Sequence, residues 1–163
     1  MIFVCVGSRE YQFNRLLKEI DRLIEIGVIQ EDVFEQIGVS DYLPKRCKYS
    51  RYVTQEEFSS YLNEARLVIT HGGAGSVIKS LNLGKKTIAV TRLKKYGEHI
   101  DDHQIQIATV LEKQGLIKSV KEMSELEAAI KFFDNHELST KKQEESDEIP
   151  SIVQMIDDFI SGK

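Results

Sequence analysis

The segment ITHGGAGSVIKSLNLGKKTIAVTR, residues 69–92, places three glycines within four positions, between two apolar runs. The runs 67–70 and 86–91 have the length and the branched side chains of buried strands. Between them, residues 76–84 have the pattern of a short helix that ends at a glycine. A strand, a loop, a helix and a second strand form a crossover unit, which is how parallel strands are connected. This segment therefore predicts a parallel sheet.

The same alternation of strands and helices continues on both sides of this segment. Further strands are predicted at 2–6, 32–38, 47–53 and 117–120, and further helices at 13–27, 55–65, 101–115 and 124–133. Thr54 and Glu57 have the spacing of a capping box at the start of the helix 55–65. We therefore predict an α/β fold with a parallel sheet and helices on both faces.

The chain of 163 residues is long enough for one domain with a real core, which we place at residues 1–133. The polar stretch 134–148 predicts an exposed linker, and residues 149–163 have the pattern of a C-terminal amphipathic helix. That helix suits either docking to a partner or packing on its own domain. Its apolar residues are Ile152, Val153, Ile156, Phe159 and Ile160.

Composition excludes several classes of protein. The net charge of -4 argues against a nucleic-acid partner, because such proteins usually present a basic face. No apolar run approaches the length of a membrane span, and the N-terminus lacks the features of a signal peptide, so we expect a cytoplasmic protein. Cys5 and Cys47 are too few for a disulfide framework, and Cys5 fits a buried free thiol.

Two glycine-bearing turns follow predicted strands, one with Gly7 and Ser8 and the other at residues 71–76. In parallel sheets ligands bind beyond the carboxyl ends of the strands, where glycine allows close approach of the backbone. A helix that starts near Ser76 would direct its free amides at an anion, most simply a phosphate. Arg92 follows the fifth strand and could pair with the same phosphate. The alternative is a tight turn that needs glycine for packing alone.

The segment 96–108 crowds hydrogen-bonding side chains at the start of a helix, which suits recognition of sugar hydroxyls. They are Glu98, His99, Asp101, Asp102, His103 and Gln104. Capping of the helix by Asp101 and Asp102 would explain these two residues but not the others. His99 and His103 are four residues apart, but there is no HExxH pattern and no nearby cysteine, so we expect no metal.

The motifs HGGAGSVIKSLNLGKKTIAV (71–90) and YGEHIDDHQIQIATVLEKQGLI (96–117), with FVCVGS near the N-terminus, resemble the C-terminal domain of glycosyltransferase family 28. The resemblance covers about residues 1–133. It is strongest to small single-domain members, such as exopolysaccharide subunits of the PssE type and the catalytic subunit of the dolichol-linked UDP-GlcNAc transferase. It implies a Rossmann-like domain, equivalent to the C-terminal donor-binding half of a GT-B glycosyltransferase.

The resemblance also implies roles for individual residues and no cofactor. The diphosphate of a UDP-sugar would face the loop Gly72, Gly73, Ala74, Gly75 and Ser76, helped by Gly7 and Ser8. The sugar pocket would be lined by Glu98, His99, Asp102, His103 and Gln104. The loop at Tyr52 and Val53 would face the uracil. Larger members carry a glutamate that holds the ribose where the register of the resemblance puts Lys79. Either ribose recognition differs here, or that register is shifted by one residue. We name no general base, and a structural role is expected for His71.

A GT-B enzyme needs two such halves, and this chain is long enough for one. The resemblance implies a membrane-anchored partner subunit of the PssD type that holds a lipid-linked acceptor. The chain would then lie at the inner face of the membrane through that partner, and transfer a hexose from a UDP-sugar to a polyprenyl-diphosphate-linked acceptor in capsule or exopolysaccharide biosynthesis. Two alternatives remain open: a non-catalytic subunit that enhances its partner, and a nucleotide-binding regulatory module.

Overall fold

The computed structural model describes residues 1–135 and residue 154. Six strands in this part of the chain are β1 (Ile2–Cys5), β2 (Val33–Gln36), β3 (Lys48–Ser50), β4 (Leu67–Thr70), β5 (Lys86–Val90) and β6 (Lys118–Val120). They form one parallel sheet in the order β3-β2-β1-β4-β5-β6. This is the strand order of the Rossmann fold. The predicted α/β class and parallel sheet are confirmed.

The helices of the described part are α1 (Asn14–Glu25), α2 (Gln55–Glu64), α3 (Ala74–Asn82), α4 (His103–Lys113) and α5 (Leu126–Asn135). The start of α3 differs from the prediction, because the helix begins at Ala74 rather than near Ser76. Gly73 and Ala74, which follow the loop, are not residues that signal the start of a helix in a sequence. In the first turn, however, a glycine breaks no hydrogen bond, because those amides have no partner within the helix.

Alternate strand residues pack on opposite faces of the sheet. Val4 lies on the face covered by α1 and α5, together with Leu17 and Ile130. Phe3 and Cys5 lie on the other face, against α2. On that face the core continues beneath α3 and α4 around Val77, Ala89 and Leu111. Helices therefore cover both faces, as predicted. Cys5 is a buried free thiol, and burial raises its pKa to about 11.

The predicted capping box at the start of α2 is confirmed. The backbone amide of Glu57 donates to Thr54 Oγ1 at 3.1 Å, and the amide of Thr54 donates to Glu57 Oε2 at 2.8 Å. This pair fixes the direction in which the chain enters α2 after the loop that follows β3.

The predicted linker 134–148 and amphipathic helix 149–163 lie outside the described residues, apart from Asp134 and Asn135, which end α5, and residue 154. Among the helices that are described, none has the length and apolar character needed to cross a bilayer.

Candidate functional site

The carboxyl ends of the central strands open onto a cavity of about 720 Å³. Both predicted glycine turns line it, so they border one common space. Ten predicted site residues line this cavity: Gly7, Ser8, Gly72, Gly73, Ala74, Gly75, Ser76, Arg92, His99 and Gln104. The structure thus brings together residues from the loops after β1, β4 and β5.

The N-terminus of α3 points its first amides into this cavity. Gly73 is the N-cap residue, no side chain caps the helix, and the first helical hydrogen bond runs from Val77 N to Gly73 O. The hydroxyl of Ser76 is already engaged, by Thr70 Oγ1 at 2.7 Å and by Gly73 O at 3.0 Å. A ligand in the cavity would therefore meet backbone amides, which favour an anion.

The ring of His71 lies between the two glycine turns and explains two of their glycines. A Cβ atom added to Gly7 would lie 2.7 Å from His71 Cε1, and one added to Gly73 would lie 2.9 Å from the same atom. Gly75 is different, because a Cβ atom there would meet nothing within 4 Å. Packing therefore accounts for Gly7 and Gly73, whereas Gly75 lines the cavity without a packing constraint on a side chain.

The environment of His71 fits the expected structural role. Burial, followed by the nearby Arg92, lowers the pKa of His71 to about 4, so the ring is neutral at pH 7. Its Nδ1 lies 3.3 Å from the carbonyl oxygen of Cys5. A carbonyl only accepts, so Nδ1 carries the proton and the lone pair of Nε2 lies at the cavity wall. With so low a pKa, the imidazole is a weak base.

Arg92 supplies a buried cation to the cavity. Its side chain is 1% exposed, and Nη2 donates to the carbonyl oxygen of Val6. Its buried Nε has no hydrogen-bond partner among the described residues. Burial lowers the pKa of Arg92 to about 10, while Glu98 raises it, so the guanidinium stays charged at neutral pH. The cavity therefore joins a helix N-terminus to a buried positive charge.

Glu98 does not reach the cavity, contrary to the prediction that it lines the sugar pocket. It is 1% exposed and accepts hydrogen bonds from Arg15 Nε at 2.5 Å and from Leu93 N at 2.9 Å. Arg15 also donates to the carbonyl oxygen of Thr91 at 2.7 Å. Glu98 thus ties the loop after β5 to α1 and balances the buried Arg92 and the partly buried Arg15, which is a positioning role.

The remaining residues of the 96–108 segment divide between the cavity and the surface. Asp102 lies outside the cavity, and its carboxylate accepts from Lys94 N at 3.1 Å instead of capping α4. His103 begins α4, and its side chain is not described. Gln104 lines the cavity, and its buried Oε1 has no hydrogen-bond partner in the described part of the chain. His99 lies beside Asp101, with 3.3 Å between Nδ1 and Oδ1.

Sequence reasoning missed several residues of the cavity wall. Arg9 follows the first glycine turn, Gln36 ends β2, and Phe58 on α2 faces Lys79, whose Nζ lies 5.4 Å from the ring centroid. Val53 also lines the cavity, whereas Tyr52 lies beside it and is 48% exposed. Position at or after the carboxyl end of a strand was a usable signal for Gln36 and Arg9. Nothing in the pattern of α2 singled out Phe58.

In residues 1–135 and 154, no three His, Cys, Asp or Glu side chains are grouped to hold a metal.

A model of the glycosyltransferase family 28 C-terminal domain matches residues 1–156. The chain belongs to this family. Among curated proteins, a similar one is the UDP-N-acetylglucosamine transferase subunit ALG13 of Kluyveromyces lactis, which is 40% identical over 77 residues. The matched part covers 47% of this chain and 37% of that protein, so the chain spans well under half the length of this curated relative.

Solved structures show the same fold at low sequence identity. The glycosyltransferase of kitacinnamycin has a TM-score of 0.61 at 16% identity, covering 83% of this chain and 35% of that one. The solution structure of ALG13 has a TM-score of 0.53 at 20% identity, covering 80% of this chain and 83% of that one. The Rossmann-like half of a GT-B glycosyltransferase, which the resemblance implied, is confirmed as the fold of this family 28 domain.

Proposed function

We propose that this chain is the donor-binding subunit of a two-component glycosyltransferase. It transfers a hexose from a UDP-sugar to a polyprenyl-diphosphate-linked acceptor during capsule or exopolysaccharide biosynthesis. One observation carries the proposal: the amides at the N-terminus of α3 and the buried guanidinium of Arg92 converge on one cavity at the carboxyl edge of the sheet.

The chemistry of sugar transfer suits this arrangement. When the bond between the sugar and the diphosphate breaks, negative charge develops on the leaving phosphate. Fixed amides and a fixed guanidinium stabilise that charge without reorganising, which is the largest single contribution to catalysis in many enzymes. Arg92 meets this requirement, because Val6 and the ring of Phe13, 5.5 Å from its guanidinium carbon, hold it in place.

The need for a partner is supported by the chemistry of a two-substrate reaction. Its acceleration depends on holding donor and acceptor in the correct relative position, and the cavity described above accounts only for the donor. The relatives are themselves called subunits of a transferase. We place the lipid-linked acceptor on a membrane-anchored partner of the PssD type, with this chain peripheral at the inner face of the membrane.

The purified chain is expected to transfer no sugar alone and to gain activity with that partner. Activity is measured with radiolabelled UDP-sugars and membranes that contain or lack the partner. In parallel, thermal unfolding is followed with UDP, ADP and GDP, and UDP should raise Tm most, because a ligand stabilises the state that binds it. Efficient transfer by the chain alone, or an equal Tm shift with ADP and GDP, contradicts the proposal. Donor-site variants that only slow the reaction would indicate a partner-enhancing subunit.

Lys79→Ala is expected to change UDP affinity by less than about threefold. The lysine occupies the position of a ribose-binding acid, yet its ammonium group lies over the ring of Phe58 and cannot accept hydrogen bonds from ribose hydroxyls. Calorimetry with the partner present tests this, with Lys113→Ala on α4 as a remote control. A loss of about tenfold or more would show that the ammonium group contacts the donor.

A further inference from the structure

Residues 39–52, here called the basic edge, run from the loop after β2 through β3 to the mouth of the cavity. They contain four of the nine large apolar side chains that the described part of the chain exposes: Val39, Leu43, Tyr49 and Tyr52. The same stretch carries four cations and one acid, although the whole chain has a net charge of -4. The cations are Lys45, Arg46, Lys48 and Arg51, and all four are exposed.

The basic edge lies along one side of the sheet, because β3 is the outermost strand. Its conformation is fixed from beneath by Asp21 of α1. The carboxylate of Asp21 accepts from Tyr42 Oη at 2.7 Å, from Lys45 N at 2.8 Å and from Arg46 N at 3.0 Å. The backbone that bears the exposed side chains of this edge is thus held in place by hydrogen bonds to Asp21.

The charges of the basic edge are largely uncompensated. Arg46 pairs with Glu25 at 2.5 Å, but Lys45, Lys48 and Arg51 make no ion pair with any carboxylate of residues 1–135. The guanidinium of Arg51 donates to the carbonyl oxygens of Gly38 and Ser40 instead. By contrast, Arg66 and Lys95 elsewhere on the surface are paired with carboxylates. The positive field of this edge is therefore available to an external anionic surface.

We propose that the basic edge binds the anionic surface of a lipid bilayer. Tyrosine and leucine side chains among lysines match the bilayer interface, where amphipathic rings sit at headgroup level and cations meet anionic lipids. The centre of a protein interface has a different composition, because charged residues, lysine above all, are depleted there. Here exposed apolar and cationic residues are interspersed along one stretch.

The position of the basic edge links lipid binding to the cavity. Val53 and Thr54, the next two residues, line the cavity wall. A bilayer held against Tyr49 and Tyr52 would therefore lie at the cavity mouth. This inference does not depend on the identity of the donor, because it rests on the surface alone.

Vesicle co-sedimentation of the full chain tests the proposal. The probes are vesicles of phosphatidylcholine alone and vesicles with about one third phosphatidylglycerol, at low and high salt. The chain is expected to bind only the anionic vesicles and to dissociate as salt screens the charges. Lys45→Glu with Lys48→Glu should weaken binding at least about tenfold, because each cation near such a surface contributes about fivefold. Leu43→Ser with Tyr49→Ser should also weaken binding at constant charge.

The matched control is Lys113→Glu with Lys121→Glu, two exposed lysines outside the basic edge that give the same change in net charge. This pair should retain most of the binding. All variants are compared at equal helical content by circular dichroism. The proposal is overturned by equal binding to neutral vesicles, by no binding to anionic ones, or by an equal loss in the control pair. It is also overturned if the edge variants lose only a protein partner while vesicle binding is unchanged.

Discussion

Gly75→Ala is expected to stabilise the folded chain and at the same time to weaken donor binding about ten- to hundredfold. Gly75 lies within the first turn of α3, so alanine there should stabilise folding by about 0.5–1 kcal/mol. Gly75 lines the cavity, and a Cβ atom added there meets no protein atom within 4 Å. It would push a phosphate away from the helix amides, and one hydrogen bond to a charged group is worth about 1.5–3 kcal/mol. Gly75→Val should act more strongly on binding.

Stability is measured by urea unfolding and affinity by calorimetry with UDP, on the same preparations. The opposite signs of the two effects make the test specific, because a variant damaged in its fold would lose both. Gly73 cannot serve here, since any side chain at that position meets the ring of His71. Asn82→Ala, at the other end of α3, is the control and should leave UDP affinity unchanged. Unchanged affinity in both Gly75 variants would place the phosphates elsewhere.

The parts of the fold that could be predicted are the strands and helices, because their apolar residues recur at regular spacings along the chain. Apolar strands and amphipathic helices repeat along the chain, and their alternation sufficed for the parallel sheet. The capping box between Thr54 and Glu57 is a local interaction, so it could also be predicted from the sequence. The glycine turns were placed correctly at the carboxyl edge, because that position follows from the topology alone.

What could not be predicted depends on contacts between distant residues. The sequence shows Glu98 among polar neighbours, but its burial depends on Arg15, 83 residues away. The role of Gly7 depends on the ring of His71, which is distant along the chain and which a list of glycines does not reveal. Glu35 is one polar residue of the predicted strand 32–38, yet it is fully buried and lies near Asp21 of α1. Neighbours along the chain determine none of these features.

Glu35→Gln is expected to stabilise the protein most at pH 8 and above. Glu35 is fully buried, and no oxygen or nitrogen group of the described residues donates to its carboxylate, although the thiol of Cys47 acts to lower its pKa. Burial, followed by the nearby Asp21, raises the pKa of Glu35 to about 8. Tyr42, Cys47 and Arg46 lie on the segment that packs over these two acids. The raised pKa means that the folded chain holds a proton which the unfolded chain releases.

The sign of the pH dependence follows from that difference. Between pH 4.5 and about 8, the unfolded state binds fewer protons at this site than the folded state, so Glu35 makes stability fall as pH rises. The penalty reaches about 3 kcal/mol at pH 7, at 1.36 kcal/mol per pKa unit. Glutamine removes it, although its buried amide also lacks partners, which costs about 1–3 kcal/mol. The net gain should therefore grow with pH and be absent near pH 5.

The measurement is the free energy of unfolding in urea from pH 5 to 9 for the parent, Glu35→Gln and Glu56→Gln. Glu56 is exposed on α2 and serves as the control, with no expected change in slope. Comparison between variants is essential, because His71, with a lowered pKa, makes stability rise between pH 4 and 6.5 in every variant. The difference between Glu35→Gln and the parent cancels that contribution. A difference that stays constant from pH 5 to 9 would show that Glu35 ionises normally in the folded chain, and that its buried environment is more polar than its contacts indicate.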